Sequence, residues 1–142
     1  MTQILAILSE VPFGKYEIEA GLLMRNSMFL NGILTNSEVR YGLNNEYIEG
    51  LERIDEYLLR HIFKTGSKAP RESLYLESGA IPIRYVIKSR RLNYLHHIMT
   101  RSDNELISRV YNAQKLKPIK DDWYLTVQKD KDDIQLLMSD DD

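Results

Sequence analysis

The chain has 142 residues, of which 43% are hydrophobic, and a formal net charge of −2. This length suits one domain, and the apolar fraction is large enough to form a core. The sequence contains no cysteine, which excludes disulfides, thiolate metal sites and a cysteine nucleophile, and fits an intracellular protein, cytoplasmic or nuclear. No apolar run reaches the roughly 20 residues that span a bilayer, so we expect no membrane contact.

Charge is unevenly distributed along the chain. Residues 121–142 hold eight Asp and two Lys, whereas residues 1–120 hold 17 Lys and Arg against 13 Asp and Glu. Between Ser78 and Ser102 there are five Lys or Arg and no acid. The sequence therefore predicts a mildly basic body with one concentrated basic segment, and an acidic C-terminus that is disordered over residues 139–142.

The N-terminal third predicts two helices. A short helix over residues 3–10 is ended by a turn at residues 11–14, which contain Pro and Gly. Residues 15–40 then predict one long helix, in which Gly21 and Gly32 indicate the close approach of a neighbour. One face of this helix is predicted to be apolar, through Ile18, Leu22, Phe29 and Ile33.

The next helix has the clearest amphipathic pattern in the chain. It follows a break at residues 41–43, is capped by Asn44 or Asn45, and ends near Lys64. Its charged residues lie mostly on other faces than its apolar ones. The predicted buried seam consists of Tyr47, Leu51, Ile54, Leu58 and Ile62.

Two more helices are delimited by proline and glycine. Pro70 opens a short helix that ends at Glu77 and that Gly79 stops. Pro82 opens a longer helix that runs to about Arg101. Both predictions rest on the fixed φ of proline and the conformational freedom of glycine.

The C-terminal part predicts two final helices. Ser102 and Glu105 have the spacing of a capping box, which begins a helix that ends near Lys115. Asp121 can cap the last helix, and residues 134–138 can add another turn or two.

No convincing pair of alternating strands occurs in the sequence. We therefore predict an all-α fold, a single domain over residues 1–138 that forms a multi-helix bundle of antiparallel or orthogonal helices with short loops. No catalytic constellation is found either. His96 and His97 are adjacent on a helix and point about 100° apart, so they cannot share an ion. We predict no catalytic residue, no cofactor and no metal.

Three strings in the chain resemble one known family. They are Leu76-Glu77-Ser78-Gly79, Ile81-Pro82-Ile83-Arg84, and Arg-Arg-Leu-Asn-Tyr-Leu-His-His-Ile over residues 90–98. In this order they resemble the segment after the palm of the reverse transcriptase in non-LTR (LINE-like) retrotransposons of animals. Residues 22–38 resemble the matching upstream helix, although Val39-Arg40 stands where the family usually has an Ala-Trp pair. The likeness extends over roughly residues 7–127.

The resemblance implies a thumb-like region, which holds the template–primer duplex in such polymerases. These enzymes bind two Mg²⁺ ions through an upstream aspartate and a Tyr/Phe-x-Asp-Asp turn between strands. Neither Asp121-Asp122 nor Asp132-Asp133 has that context. The chain is therefore expected to be a truncated fragment without the catalytic palm, which is not an enzyme by itself.

A basic stripe on the helix that Pro82 opens is the best candidate site. Positive side chains on a rigid helix can follow a phosphate backbone, and a tyrosine can stack on a sugar or base. The candidate residues for binding RNA or an RNA–DNA duplex are Arg84, Lys88, Arg90, Arg91 and Tyr94. The sequence leaves open a structural alternative, in which the stripe pairs with carboxylates of the preceding long helix: Glu49, Glu52 or Glu56.

Two other functions also stay open. The chain can be a helical protein–protein interaction module, whose exposed apolar seam binds the missing palm or a second copy of itself. It can also be a remnant without function. Trp123 and Tyr124 are interpreted as a hydrophobic clasp over the bundle rather than as a platform for bases.

Overall fold

A computed structural model describes residues 17–40 and 44–139 of the chain. The predicted helix over residues 3–10, the turn at residues 11–14 and the last three residues of the acidic C-terminus lie outside these ranges. Within them the chain is helical and contains no strand, so the all-α prediction is confirmed. None of the described helices is both long and apolar enough to cross a membrane. The elements in chain order are α1 Glu17–Met24, a π-helical turn Arg25–Leu30, α2 Asn31–Leu34, α3 Asn45–Phe63, α4 Arg71–Ser78, α5 Ile83–Met99, α6 Leu106–Leu116 and α7 Trp123–Ser139.

The described residues divide into two compact units. Unit 1 comprises residues 17–35 and 44–84, and unit 2 comprises residues 36–40 and 85–139. The boundary falls after the first two residues of α5. The prediction of one domain over residues 1–138 stays a prediction.

The first helical segment of unit 1 contains a π-helical turn between α1 and α2. Its buried residues, Gly21, Arg25, Phe29 and Leu34, follow one another at spacings of four, four and five. A π turn contains more residues than an α-helical turn, so it shifts which side chains face the core. The predicted apolar face is wrong at Ile18, which is 43% exposed.

This helical segment also ends earlier than the sequence predicts. Its last residue is Leu34 rather than Arg40, because Thr35 leaves the helical region with a ψ of 125°. Asn36 then adopts a φ of 57°, in the left-handed region that Asn tolerates better than most residues. The change of backbone conformation at these two residues is followed by a turn, in which the backbone N–H of Val39 donates to the carbonyl of Asn36.

The long helix α3 begins as predicted but buries a different face. The side chain of Asn44 accepts a hydrogen bond from the backbone N–H of Tyr47 at 2.8 Å, which confirms the cap. Tyr47 is 38% exposed and Ile54 only half-buried, whereas the neighbouring Ile48 and Asp55 are buried. The predicted seam is corrected because α3 packs against both α1 and α4, which requires a wider buried face than one stripe.

A glycine allows α1 to approach α3. A Cβ atom at Gly21 would lie 3.0 Å from two side-chain carbons of Ile62, so the predicted close approach is confirmed there. At Gly32 no atom of residues 17–40 or 44–139 lies within 4 Å of that position, so the second predicted approach is not found among the described residues.

Two glycine substitutions are expected to differ in stability. Gly50→Ala, in the interior of α3, should raise the free energy of unfolding by about 0.5–1 kcal/mol, because no atom of the described residues lies within 4 Å of the added methyl group. Gly21→Ala gains the same helix propensity but crowds Ile62, and such overpacking costs about 1–3 kcal/mol. It should therefore be at least about 1 kcal/mol less stable than Gly50→Ala in urea unfolding. Equal stability of the two variants would contradict the close approach.

Unit 2 is built from α5 after its first two residues, α6, α7 and residues 36–40. The packing of α6 against α7 and the buried side chains of α5 and α7 form its core. The indole N–H of Trp123 donates to the backbone carbonyl of Glu38 at 2.6 Å. This hydrogen bond attaches residues 36–40 to α7. The fully or largely buried apolar residues of this unit are Ile87, Leu95, Ile98 and Val127.

The start of α6 differs from the prediction. Glu105 is the N-cap residue and makes no side-chain capping hydrogen bond, so the predicted capping box is wrong. Instead, the backbone N–H of Glu105 donates to the carbonyl of Ser102 at 3.1 Å, which forms a turn before the helix. Residues 103–105, which a capping box would place in the first turn of the helix, belong to this turn instead.

The last helix is longer than predicted and starts one residue later. The carbonyl of Asp122 accepts the N–H of Thr126 at 3.1 Å, whereas the predicted cap, Asp121, has a φ of 68° outside the helix. The helix continues without a break through residues 134–138 to Ser139.

Candidate nucleic-acid interface

The first cation of the predicted stripe, Arg84, is bound within unit 1. Its Nε and Nη2 donate to the two carboxylate oxygens of Glu52 at 2.9 and 3.0 Å, and its backbone N–H donates to the same carboxylate at 3.3 Å. Burial alone would raise the pKa of Glu52, but the hydrogen bonds and charge of Arg84, with the charge of Arg71, lower that pKa. Arg84 therefore has a partner that the structural alternative predicted.

The next two cations of the stripe are bound by α7 within unit 2. Nε and Nη2 of Arg91 donate to Asp130 at 2.7 and 3.0 Å, and both residues are buried. Nζ of Lys88 donates to Asp133 at 2.5 Å, and this hydrogen bond lowers the pKa of Asp133. For these two cations the predicted partners are wrong, because the carboxylates come from α7 rather than from Glu49, Glu52 or Glu56.

The predicted aromatic residue, Tyr94, lies in a cluster of rings in unit 2. Its ring centroid is 5.8 Å from that of Trp123 in an edge-to-face arrangement and 6.0 Å from that of His97 in a stacked one. Trp123 also contacts Tyr111, at 6.3 Å between centroids. The cluster agrees with the interpretation of Trp123 as a hydrophobic clasp. Arg90 is half-buried.

The structure thus brings Lys88, Arg91 and Tyr94 together with α7 in unit 2, while Arg84 is held by α3 in unit 1. Each of these side chains has an intramolecular partner. A phosphate would have to displace a carboxylate to bind Arg84, Lys88 or Arg91. Nucleic-acid binding by the five predicted residues stays a prediction.

A further buried ion pair in unit 1 was not found from the sequence. Nε and Nη2 of Arg25, in the π-helical turn, donate to the two carboxylate oxygens of Asp55 at 2.6 and 2.5 Å. The hydroxyl of Tyr75 donates to the same carboxylate at 3.1 Å, and burial together with the charge of Asp55 raises the pKa of Tyr75. The feature of the sequence that could have indicated this pair is Asp55, an aspartate within the apolar pattern of α3.

Cations without a carboxylate partner lie on α6 and on its connection to α7. We call these residues the α6 basic surface, and they are Arg109, Lys115, Lys117 and Lys120. All are exposed, and none forms an ion pair with residues 17–40 or 44–139. The signal that could have identified them is the stretch from Leu106 to Lys120, which contains no Asp or Glu.

The positive charge of the α6 basic surface is local to that surface. Unit 2 over its full range, residues 36–43 and 85–142, contains eleven Lys and Arg against eleven Asp and Glu, because the last three residues of the chain are Asp. Unit 1, residues 1–35 and 44–84, contains eight Lys and Arg against ten Asp and Glu, a net charge of −2. An anionic partner would therefore be attracted by the local cluster of cations rather than by the net charge of unit 2.

The C-terminal end of α7 carries a different kind of surface. Leu136, Leu137 and Met138 are 64%, 64% and 71% exposed, and Ile134 is 38% exposed. Consecutive large apolar side chains at this exposure are typical of a contact surface rather than of scattered surface residues.

Comparisons with known proteins do not identify a relative. No protein-family model, no curated protein and no solved structure matches the chain. The family resemblance therefore stays a prediction that rests on the strings quoted from the sequence.

Proposed function

We propose that this chain is a helical, non-catalytic segment of the non-LTR retrotransposon reverse-transcriptase type, and that it binds the backbone of RNA or an RNA–DNA duplex inside cells. The observation that carries the proposal is the α6 basic surface, four exposed cations without carboxylate partners in the described chain. The resemblance of the sequence strings supports it.

The ion pairs of the predicted stripe favour a structural role for Arg84, Lys88 and Arg91. A cation that is already paired with a carboxylate cannot neutralise a phosphate, and so releases no counterion from the nucleic acid, unless that pair breaks. Breaking a buried pair costs several kcal/mol. Exposed and unpaired cations have no such cost. The α6 basic surface is therefore the better place for phosphate contacts.

Binding should depend on salt and on this surface. We expect the triple variant Arg109→Gln, Lys117→Gln, Lys120→Gln to bind a short RNA–DNA duplex more weakly, with a slope of log K against log salt that is smaller by about 2–3. Fluorescence anisotropy of a labelled duplex at several salt concentrations measures both quantities.

The matched control is the triple variant Arg53→Gln, Lys68→Gln, Lys131→Gln, which removes the same charge from exposed positions elsewhere. It should keep the salt slope of the original chain. If the folded original chain does not bind the duplex even at low salt, or if both triple variants lose binding equally, the proposed surface is wrong.

A second candidate function is favoured by the apolar end of α7. Ile134, Leu136, Leu137 and Met138 can bury their exposed area against a second copy of the chain. Sedimentation analysis that finds dimers at higher concentration, together with no duplex binding, would support an interaction module instead. Leu137→Asp should then abolish the dimer.

A further inference from the structure

The aromatic cluster of unit 2 forms one wall of an open apolar cavity. The cavity has a volume of about 170 Å³ and is lined by Tyr94, Tyr111 and Trp123 together with aliphatic side chains such as Ile98 and Val110. A dry apolar cavity of roughly 150 Å³ accepts one benzene ring. The size and the aromatic lining therefore suit a single six-membered ring, which can make stacked or edge-to-face contacts.

A second cavity adjoins the first and is polar. It has a volume of about 270 Å³ and shares Ile98 and Tyr111 with the apolar cavity, so the two lie side by side. Its other lining residues include two cations, Arg101 and Lys115, and the amide of Asn112. A ligand that spans both cavities would place a ring in one and a polar group in the other.

A buried hydroxyl group also belongs to this second cavity. Ser108 is 4% exposed, and its Oγ has no hydrogen-bond partner among the described residues. Buried hydroxyl groups are nearly always hydrogen-bonded, so an orphaned one indicates a missing partner. A polar ligand group in the cavity would supply it.

The charge of the second cavity favours an anion. Lys115 has no ion pair in the described chain, whereas Arg101 already forms an ion pair with Glu105, at 3.7 Å. With Asp103, which also lines the cavity, the lining residues themselves carry a net charge of +1. Lys115 is therefore the cation available to a phosphate group, and the hydroxyl group of Ser108 can donate a further hydrogen bond to it.

We propose that the two cavities together bind a pyrimidine nucleotide, with the base in the apolar cavity and the phosphate in the polar one. A pyrimidine has one ring, which fits about 170 Å³, whereas the two fused rings of a purine require more space. The amide of Gln114 lines the apolar cavity, and its oxygen already accepts the N–H of Tyr124. Its NH₂ group remains to donate to a pyrimidine carbonyl.

This inference rests on the proposed function and specifies it, since Lys115 belongs both to the α6 basic surface and to the polar cavity. The site takes one nucleotide unit, either free or within a single strand. The duplex experiment leaves Lys115 unchanged, so each idea can fail without the other.

The single tryptophan of the chain provides a direct probe, because Trp123 lines the apolar cavity. Titration of the protein with uridine monophosphate should change the tryptophan fluorescence in a saturable way, with a Kd on the order of 0.1 mM. Uridine should bind about 10-fold more weakly, because it lacks the phosphate. Adenosine monophosphate should also bind about 10-fold more weakly, because its purine is larger than the ring cavity. A uridine oligonucleotide that binds tighter than the mononucleotide identifies a strand as the source, and the reverse identifies a free nucleotide.

Three variants separate the parts of the site. Lys115→Gln should weaken the binding of uridine monophosphate by about 10-fold and leave the binding of uridine unchanged. Ser108→Ala should weaken the binding of uridine monophosphate several-fold without lowering stability, since the hydroxyl group has no partner among the described residues. Val110→Phe should fill the apolar cavity and abolish the binding of both ligands, while circular dichroism stays unchanged.

The control is Lys129→Gln, an exposed lysine of α7 outside both cavities, which should change nothing. Three results would overturn the proposal: no saturable change in the folded protein, equal affinity for uridine and its monophosphate, or tighter binding of phenyl phosphate than of uridine monophosphate. The last result would assign the site to aryl phosphates. If the duplex binds and the nucleotide does not, only the nucleotide site is wrong.

Discussion

Replacement of Asp55 by Ala is expected to lower the free energy of unfolding by about 3–5 kcal/mol. The reason is the guanidinium of Arg25, which is 1% exposed and donates two hydrogen bonds to Asp55 at 2.6 Å or less and a third to Oδ1 of Asn26 at 3.0 Å. Without the carboxylate, a full charge stays buried with only the neutral amide of Asn26 as a partner. Tyr75 would lose its acceptor as well. Urea unfolding followed by circular dichroism measures the effect, and a variant that is already unfolded without urea agrees with it.

The matched control removes both charges. The double variant Arg25→Met, Asp55→Leu replaces the pair by apolar side chains of similar size, and should recover most of the lost stability because no unpaired charge remains. Glu49→Ala, at an exposed position of the same helix, should change stability by less than about 0.5 kcal/mol. A loss below about 1 kcal/mol in Asp55→Ala would contradict the buried pair.

A loss of similar size, about 3–5 kcal/mol, is expected for Asp130→Ala in unit 2. Asp130 is 2% exposed and holds Arg91, which is 7% exposed, through two hydrogen bonds. Its neighbour Asp132, two residues further along α7, is exposed and makes no ion pair in the described chain. Asp132→Ala should therefore change the free energy of unfolding by less than about 0.5 kcal/mol.

Thermal or urea unfolding of the two aspartate variants provides the comparison. If Asp130→Ala and Asp132→Ala have the same midpoint, Arg91 does not depend on Asp130, and the stripe is then available to other anions. This outcome would restore Arg91 as a candidate phosphate ligand, whereas a large difference between the variants assigns it to the core.

These expectations determine how nucleic-acid binding has to be tested. A variant that neutralises Arg84, Lys88 and Arg91 together leaves Asp130 buried without its partner and Glu52 with only Arg71, at 3.4 Å, and it should unfold. Loss of binding in such a variant would report the loss of the fold. The α6 basic surface does not have this problem, because its cations are exposed and form no ion pair with any described residue.

The candidate site was predicted only in part. The helix that carries the stripe follows from the sequence, and the observed pairing of Arg84 with Glu52 agrees with the structural alternative, which named Glu52 as one of three carboxylates. The partners of Lys88 and Arg91 were wrong, because Asp133 and Asp130 are 45 and 39 residues away in sequence. Sequence patterns relate residues within one helical turn or two, and no such rule selects a partner on a distant helix.

The sequence by itself determined the features that depend on local backbone physics. Helical spacing of apolar residues indicated the all-α fold, the side chain of Asn44 capped α3, and Gly79 ended α4 with a φ of 63°. Each of these is set by neighbours within a few residues.

Only the tertiary structure decided which faces are buried and which charges are paired. Arg25, the first residue of the π-helical turn, lies on the buried side, where it meets Asp55 of α3, and α7 supplies Asp130 and Asp133 to the stripe of α5. A charge is stabilised in the interior only by a partner that packing brings within hydrogen-bond distance, and packing joins residues that are far apart in sequence. The same packing left the α6 basic surface exposed, so the fold, rather than the number of cations in a segment, decided which cations remain at the surface.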